Sequence, residues 1–270
     1  MRIASTPEHG GVYPFHMQTG ARRETLLEAI DTPFNSVRVT RTGHRVDMDV
    51  AGATFATWHP TYLLTGYSWD AVTAGCLLHP GGTPHSLLML GLAGGTVARQ
   101  LRHLLPASAI TAVEIDPGLV RLARTHMQLD DLEVEILIAD AYDHVARSDR
   151  AYDVVIDDIY LTGPEDVERP KAVKGRTLDR LREVMRPDGV LVANMITDGP
   201  HRRHFEAARE AFAAAFPRVA EIEAPRGYNT ILVGGRSLLD PLRLADYTDA
   251  FPTRRDRTLW RRLCERVKAD

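Results

Sequence analysis

Two cysteines in 270 residues, Cys76 and Cys264, stand far apart in apolar helical patterns. That is too few for a disulfide framework and the wrong spacing for a thiolate metal site, so both read as packing residues. No uncharged apolar run reaches the length of a membrane span. The opening MRIASTPEHGGVYPFHMQ lacks the basic segment and apolar run of a secretory signal. A cytoplasmic location with no membrane partner is therefore expected. Neither sign of charge dominates: 33 Lys and Arg against 36 Asp and Glu leave a formal −3. Such a balance supplies no field that selects nucleic acid or an anionic surface. The 11 histidines are scattered and none has zinc-ligand spacing, so no metal is expected. With 44% hydrophobic and 26% charged residues the chain can bury a substantial globular core, and a small-molecule partner is the expectation.

Residues 1 to 20, rich in Gly, Pro and His, read as an irregular arm, and ARRETLLEAI after it reads as a short helix. From Ser36 to Trp58 apolar and polar residues alternate, with a turn at Arg41 to His44, which predicts a β-hairpin or a small three-stranded sheet. Leu63 to Leu78 is apolar at helical spacing, and Gly81-Gly82-Thr83-Pro84 then breaks the chain. The expected division is 1–82 (arm, hairpin subdomain and connecting helix) and 83–270 (a cofactor-binding catalytic domain).

Beyond the break, short apolar runs alternate with helical segments up to Phe216, the pattern of a parallel sheet covered on both faces. The runs Val219 to Glu223 and Thr230 to Val233 are joined by only six residues and must be antiparallel neighbours. An α/β fold with a mainly parallel sheet and a terminal antiparallel hairpin follows. Residues 253 to 268 predict an amphipathic helix with Leu259, Leu263 and Val267 inward and a solvated arginine face.

Four motifs end successive strands. Gly91, Ala93, Gly94 and Gly95 form a small-residue turn before a helix, where backbone can approach a ligand closely. The strict G-x-G-x-x-G pattern is not met, since Ala93 and Thr96 replace two glycines. Glu114, followed by Ile115, ends a strand 23 positions after Gly91, where a carboxylate can accept both ribose hydroxyls of a nucleoside. Asp116 before Pro117 reads as a helix cap. Asp140 with Ala141 ends the next strand; it can accept from an adenine amine and reads equally as a cap. Asp157, Asp158 and Tyr160 close the fourth strand. Asp158 is the candidate to orient or deprotonate an acceptor, and Asp157, on the opposite side of the strand, to support the loop.

From about Val37 to Gly234 the chain resembles the spermidine synthases and their methyltransferase-like relatives, in the order hairpin, glycine turn, V-E-I-D, D-A, V-V-I-D-D. The resemblance implies a Rossmann-like class I methyltransferase sheet behind a small N-terminal β-hairpin domain. It also implies S-adenosyl-L-methionine or its decarboxylated form as cofactor, a small-molecule acceptor with amines among the candidates, and a homodimer.

Three departures stand out. Gly94 replaces the family's donor-binding Asp. The D-S-S-D motif reads Asp158-Ile159-Tyr160-Leu161 and keeps its first acid alone. The Tyr-His pair reads Tyr67-Ser68. Without an acid at 94 the bare ammonium of the decarboxylated donor loses its partner, and Leu161 cannot neutralise a diamine. On these grounds methyl transfer ranks above aminopropyl transfer, with a noncatalytic adenosyl-binding protein as the third reading. Asp158, Tyr67 and Tyr160 are the candidate catalytic residues, each tyrosine reading equally as packing. Thr162 to Lys174 reads as a lid or an ordinary surface loop.

Overall fold

The structure, a computed structural model, describes residues 23–163 and 167–269, so the expected arm lies outside the described residues. The chain opens with four antiparallel strands, β1 (Glu24–Asp31), β2 (Ser36–Thr42), β3 (Arg45–Val50) and β4 (Ala53–Trp58), ordered as in sequence. β1 is the segment whose Glu, Leu and Ala content predicts a helix. It pairs instead with β2, from Glu24 opposite Thr42 to Asp31 opposite Ser36. A register shift between Leu26 and Glu28 lets Leu27 join Ile30 against the core. Tertiary pairing has overridden a weak local propensity.

Helix α1 (Ser68–Cys76) follows, and the division expected after Gly82 falls in the turn before β5 (Ser86–Leu90), where Gly82 has φ +74°. Strands then alternate with helices: α2 (Thr96–Leu104), β6 (Ala109–Glu114), α3 (Pro117–Met127), β7 (Glu135–Ile138), α4 (Ala141–Arg147) and β8 (Tyr152–Asp157). After a two-stranded excursion, β9 (Leu161–Thr162) with β10 (Val167–Glu168), come α5 (Arg176–Glu183), β11 (Met185–Ile196), α6 (Arg202–Ala215), β12 (Arg218–Glu223) and β13 (Asn229–Gly235). The chain closes with α7 (Arg254–Cys264) and β14 (Val267–Ala269).

The large sheet has the order β14-β12-β13-β11-β8-β5-β6-β7. Its β11, β8, β5, β6 and β7 are parallel, and β12 and β13 form the expected antiparallel pair. Val267 does not extend the last helix; it opposes Ile222 in β14, which adds an antiparallel edge to β12.

Strand alternation assigns the two faces. Leu87 and Met89 of β5 join a core with α1, α2, α3, α7 and the small sheet. Leu88 and Leu90 join a second core with α5 and α6. Each fully buried Leu, Ile or Val contributes about 1.5–3 kcal/mol. The sheet is thus anchored from both sides, and its carboxyl-end tips form one fixed row. Cys76 is buried and Cys264 half-buried, and burial pushes the Cys264 thiol up to about 11.

Candidate active site

Five strand tips meet at one cavity of about 290 Å³, lined by Gly91 after β5, Glu114 of β6, Asp140 after β7, Asp158 after β8 and Asn194 of β11. Gly91, at φ +89°, donates its N–H to the Val113 carbonyl (2.9 Å). The N–H groups of Leu92 and Ala93 then both donate to Glu114 Oε2, at 3.0 and 2.9 Å, and the Asp116 N–H donates to Oε1 at 3.1 Å. Glu114 is 6% exposed. Its carboxylate therefore clamps the turn, a role spacing alone does not show; Oε2 is filled by two N–H groups, and Oε1 keeps one site for a further hydroxyl, one fewer than the two expected from spacing.

Gly94 and Gly95 differ from Gly91 and Ala93: neither is among the residues lining the cavity. A Cβ on Gly94 would lie 2.4 Å from Met127 Sδ and 2.5 Å from Ala56 Cβ, and one on Gly95 would lie 2.7 Å from Leu129 Cδ1. These glycines let the turn pack against β4, α3 and the segment after α3. Ile115 and Ala141 line the wall between Glu114 and Asp140. Asp140 lines the cavity and also caps α4, its Oδ1 accepting from the N–H groups of Tyr142 (2.8 Å) and Asp143 (3.0 Å).

Asp158 is half-buried, and Asn194 Nδ2 donates to its Oδ1 at 2.8 Å. Asn229 Nδ2 in turn donates to Asn194 Oδ1 at 2.9 Å, so two asparagines fix the carboxyl from β11 and β13. Burial pushes the Asp158 carboxyl above the ordinary carboxylate range, opposed by the Asn194 hydrogen bond and the Arg169 charge. Asp157 points to the other side and is fully buried, with Arg169 Nη1 donating to its Oδ1 at 2.6 Å. Arg169 also donates to the Asn194 carbonyl and lies 4.8 Å over the Tyr160 ring. Asn194, Asn229 and Arg169 escaped the sequence reading. Only the position of Asn194 in the apolar run Val190 to Asn194, the counterpart of the run before Asp158, could have signalled it.

Tyr160 lines the cavity, but its hydroxyl is engaged on β11, donating to the Asn194 carbonyl (2.9 Å) and accepting from the Ile196 N–H (3.1 Å). Tyr67 precedes α1 with its ring 6.2 Å from that of Trp69. Ser68 and Trp69 line the cavity; Tyr67 is not among the lining residues. Val167, Pro170 and Lys171 of the expected lid segment do line it, as does Leu161 just before that segment, and Lys171 Nζ sits 4.5 Å from the Tyr142 ring centre. Asn35, from the β1–β2 connection, ties this segment down. Its Nδ2 donates to Asp116 Oδ2 (2.7 Å), and its Oδ1 accepts from Thr162 Oγ1 (3.1 Å).

Comparison with known proteins agrees with this layout. The "Spermine/spermidine synthase domain" matches residues 66–224. A "Probable polyamine aminopropyl transferase" of Bifidobacterium longum (strain NCC 2705) is 32% identical over 156 residues, 57% of this chain and 33% of that protein. A "Polyamine aminopropyltransferase" of Synechococcus sp. (strain JA-2-3B'a(2-13)) is 25% identical over 71% of this chain and 65% of that protein. The chain thus spans between one third and two thirds of these relatives. An "eEF1A lysine and N-terminal methyltransferase" of Homo sapiens is 28% identical over 42% of this chain and 18% of that protein.

Among solved structures, a spermidine synthase from Thermotoga maritima superposes with a TM-score of 0.62 at 16% identity, covering 81% of this chain and 77% of the other. Human methyltransferase-like protein 13 in complex with SAH gives 0.55 at 22% identity, covering 73% and 92%. At these identities the likeness is one of fold. The sheet with its antiparallel end, the small N-terminal sheet and the domain match over most of the ordered strands together place this chain in the spermine/spermidine synthase domain family.

Proposed function

We propose that this chain transfers an aminopropyl group from decarboxylated S-adenosylmethionine to an amine acceptor. The observation that carries the transferase reading is the meeting of the Gly91 turn, Glu114, Asp140 and Asp158 in one cavity. The residues present fit an adenosyl group: buried Glu114 keeps one acceptor site on Oε1 for a ribose hydroxyl, Asp140 Oδ2 can accept from an adenine amine, and Ile115, Leu119 and Ala141 give apolar walls. When bound, the donor supplies an electrophilic carbon beside its sulfonium.

The remaining work falls to this chain's own residues. Asp158, fixed by Asn194, accepts a hydrogen bond from the amine and takes up its proton as the nitrogen loses its lone pair. The upward shift of its carboxyl makes it a better proton acceptor than a free carboxylate. Leu161, Val167 and Pro170 exclude water from the acceptor side.

Support for aminopropyl over methyl transfer comes from the names of the relatives, most of which are polyamine aminopropyltransferases. That reverses the order drawn from Gly94 and Leu161 alone. Methyl transfer from intact S-adenosylmethionine stands as the second reading, favoured by one observation. The packing of Met127 and Ala56 around Gly94 leaves no room there for an acid to hold the decarboxylated donor's ammonium. The test is product analysis by mass spectrometry after incubation with each donor and a panel of diamines, polyamines and lysine peptides. Aminopropylated amine from the decarboxylated donor supports the proposal. Methylated product from the intact donor, with none from the other, replaces it with the second reading.

A further inference from the structure

The arginine face of α7 is exposed to solvent as expected, and part of it lines a cleft. Arg254, Thr258 and Arg262 follow one another at four-residue intervals and form one stripe, with Arg255 and Leu259 beside it. This stripe faces Thr65 and Arg226 across a cleft of about 480 Å³, separate from the strand-tip cavity. The seven lining residues include four arginines and two threonines, and no carboxylate. Arg254 and Arg262 have no ion-pair or side-chain hydrogen-bond partner among the described residues.

Arg255 is held ready. Its Nη1 donates to the Leu64 carbonyl (2.6 Å), its guanidinium lies 4.7 Å over the Tyr62 ring, and buried Asp256 sits 3.2 Å away. Arg254 and Arg255 also occupy the first helical turn, where the helix dipole disfavours cations. Of these two, Arg255 gains the contacts just described, whereas Arg254 stands against the dipole with no ion-pair partner among the described residues, a departure from local rules of the kind found at functional sites.

We propose that this cleft is a binding site for a small oligophosphate anion. Planar guanidinium forks match phosphate oxygens in pairs, and Thr65 and Thr258 add hydroxyl donors. Arg254 and Arg262, unpaired among the described residues, with the guanidiniums of Arg255 and Arg226 beside them, match a di- or triphosphate better than a single carboxylate. The site stands independently of the donor reading. It has one link to the cavity: the connection that carries Arg226 leads into Asn229, which holds Asn194.

The test is calorimetric titration of the full chain with inorganic tripolyphosphate and with orthophosphate, at ionic strength matched with sodium chloride. Wild type, the pair Arg254→Ala with Arg262→Ala, and Arg261→Ala are compared; Arg261 is exposed on α7 but outside the cleft lining. Saturable binding of tripolyphosphate, tighter than of orthophosphate, is expected. Each lost arginine should weaken it roughly tenfold, and Arg261→Ala should leave it unchanged. All three substitutions are on the helix surface, and a common thermal midpoint without the anion confirms folding. Non-saturable heats, or equal weakening by Arg261→Ala, would overturn the proposal. S-adenosylmethionine and its decarboxylated form are titrated into the same preparations, so failure of the oligophosphate site and failure of the donor reading are read separately.

Discussion

The carbonyl oxygen of Asp158 stands 2.4 Å from the position a Cβ on Gly91 would occupy. The tips of β5 and β8 are therefore in backbone contact, and the glycine turn and the candidate proton acceptor share one fixed distance. The Asp158 N–H reinforces this by donating to the Leu90 carbonyl at 3.0 Å.

Gly91→Ala tests that contact. A left-handed φ of +89° costs a side chain about 1–2 kcal/mol, and the collision with the Asp158 carbonyl adds to it. Denaturant unfolding should show at least that loss, and adenosyl-compound binding should fall with it. A variant of wild-type stability would mean the tips are not in contact.

Gly94→Asp bears on donor choice. If residue 94 only selects the donor, this change should convert preference without harming the fold. The approach of Met127 and Ala56 instead leads to an overpacked turn, costing about 1–3 kcal/mol, with no gain for the decarboxylated donor. The two outcomes separate in a thermal melt followed by titration with both donors.

Asp158→Asn should lower turnover about 10²- to 10⁴-fold while leaving donor affinity within a few-fold. Asn194→Ala is the finer probe. Asp158 works as a proton acceptor only when ionised, so activity rises with pH through its pKa. That value is raised by burial and held back in part by Asn194. Removing Asn194 raises it further, so the acidic limb of the kcat/KM profile should move to higher pH. A limb that stays put would remove Asp158 from the titration.

Arg169→Met should destabilise the chain by about 3–5 kcal/mol, because it leaves the Asp157 carboxyl buried without its cation. Adding Asp157→Asn should recover part of the loss in equilibrium unfolding. Equal single and double variants would mean the pair is not coupled.

Much of this architecture is legible before folding, and the exceptions are instructive. β5, β6 and β8 are buried on both faces, so continuous runs such as Leu87 to Leu90 announce them. β1 misleads because its side chains are largely exposed and its strand state depends on pairing with β2, from Asp31 opposite Ser36 out to Glu24 opposite Thr42. Val267 misleads for a similar reason: an edge strand of three residues carries no periodicity of its own. At the site, the acids at strand ends can be read from spacing. Asn194, Asn229 and Arg169 cannot, because their roles arise from hydrogen bonds across 36, 35 and 12 positions of chain. Nor could spacing show that Gly94 is kept small by Ala56 of another sheet.

The account depends most on the adenosyl site built by the Gly91 turn and Glu114. Its most direct test is calorimetric titration of wild type and Glu114→Gln with S-adenosylmethionine and its decarboxylated form. One saturable site for at least one donor is expected in wild type, weakened tenfold or more in the variant, where a charged acceptor for the ribose and the turn is lost. Absence of binding for both donors, or equal affinity in the two proteins, would contradict it.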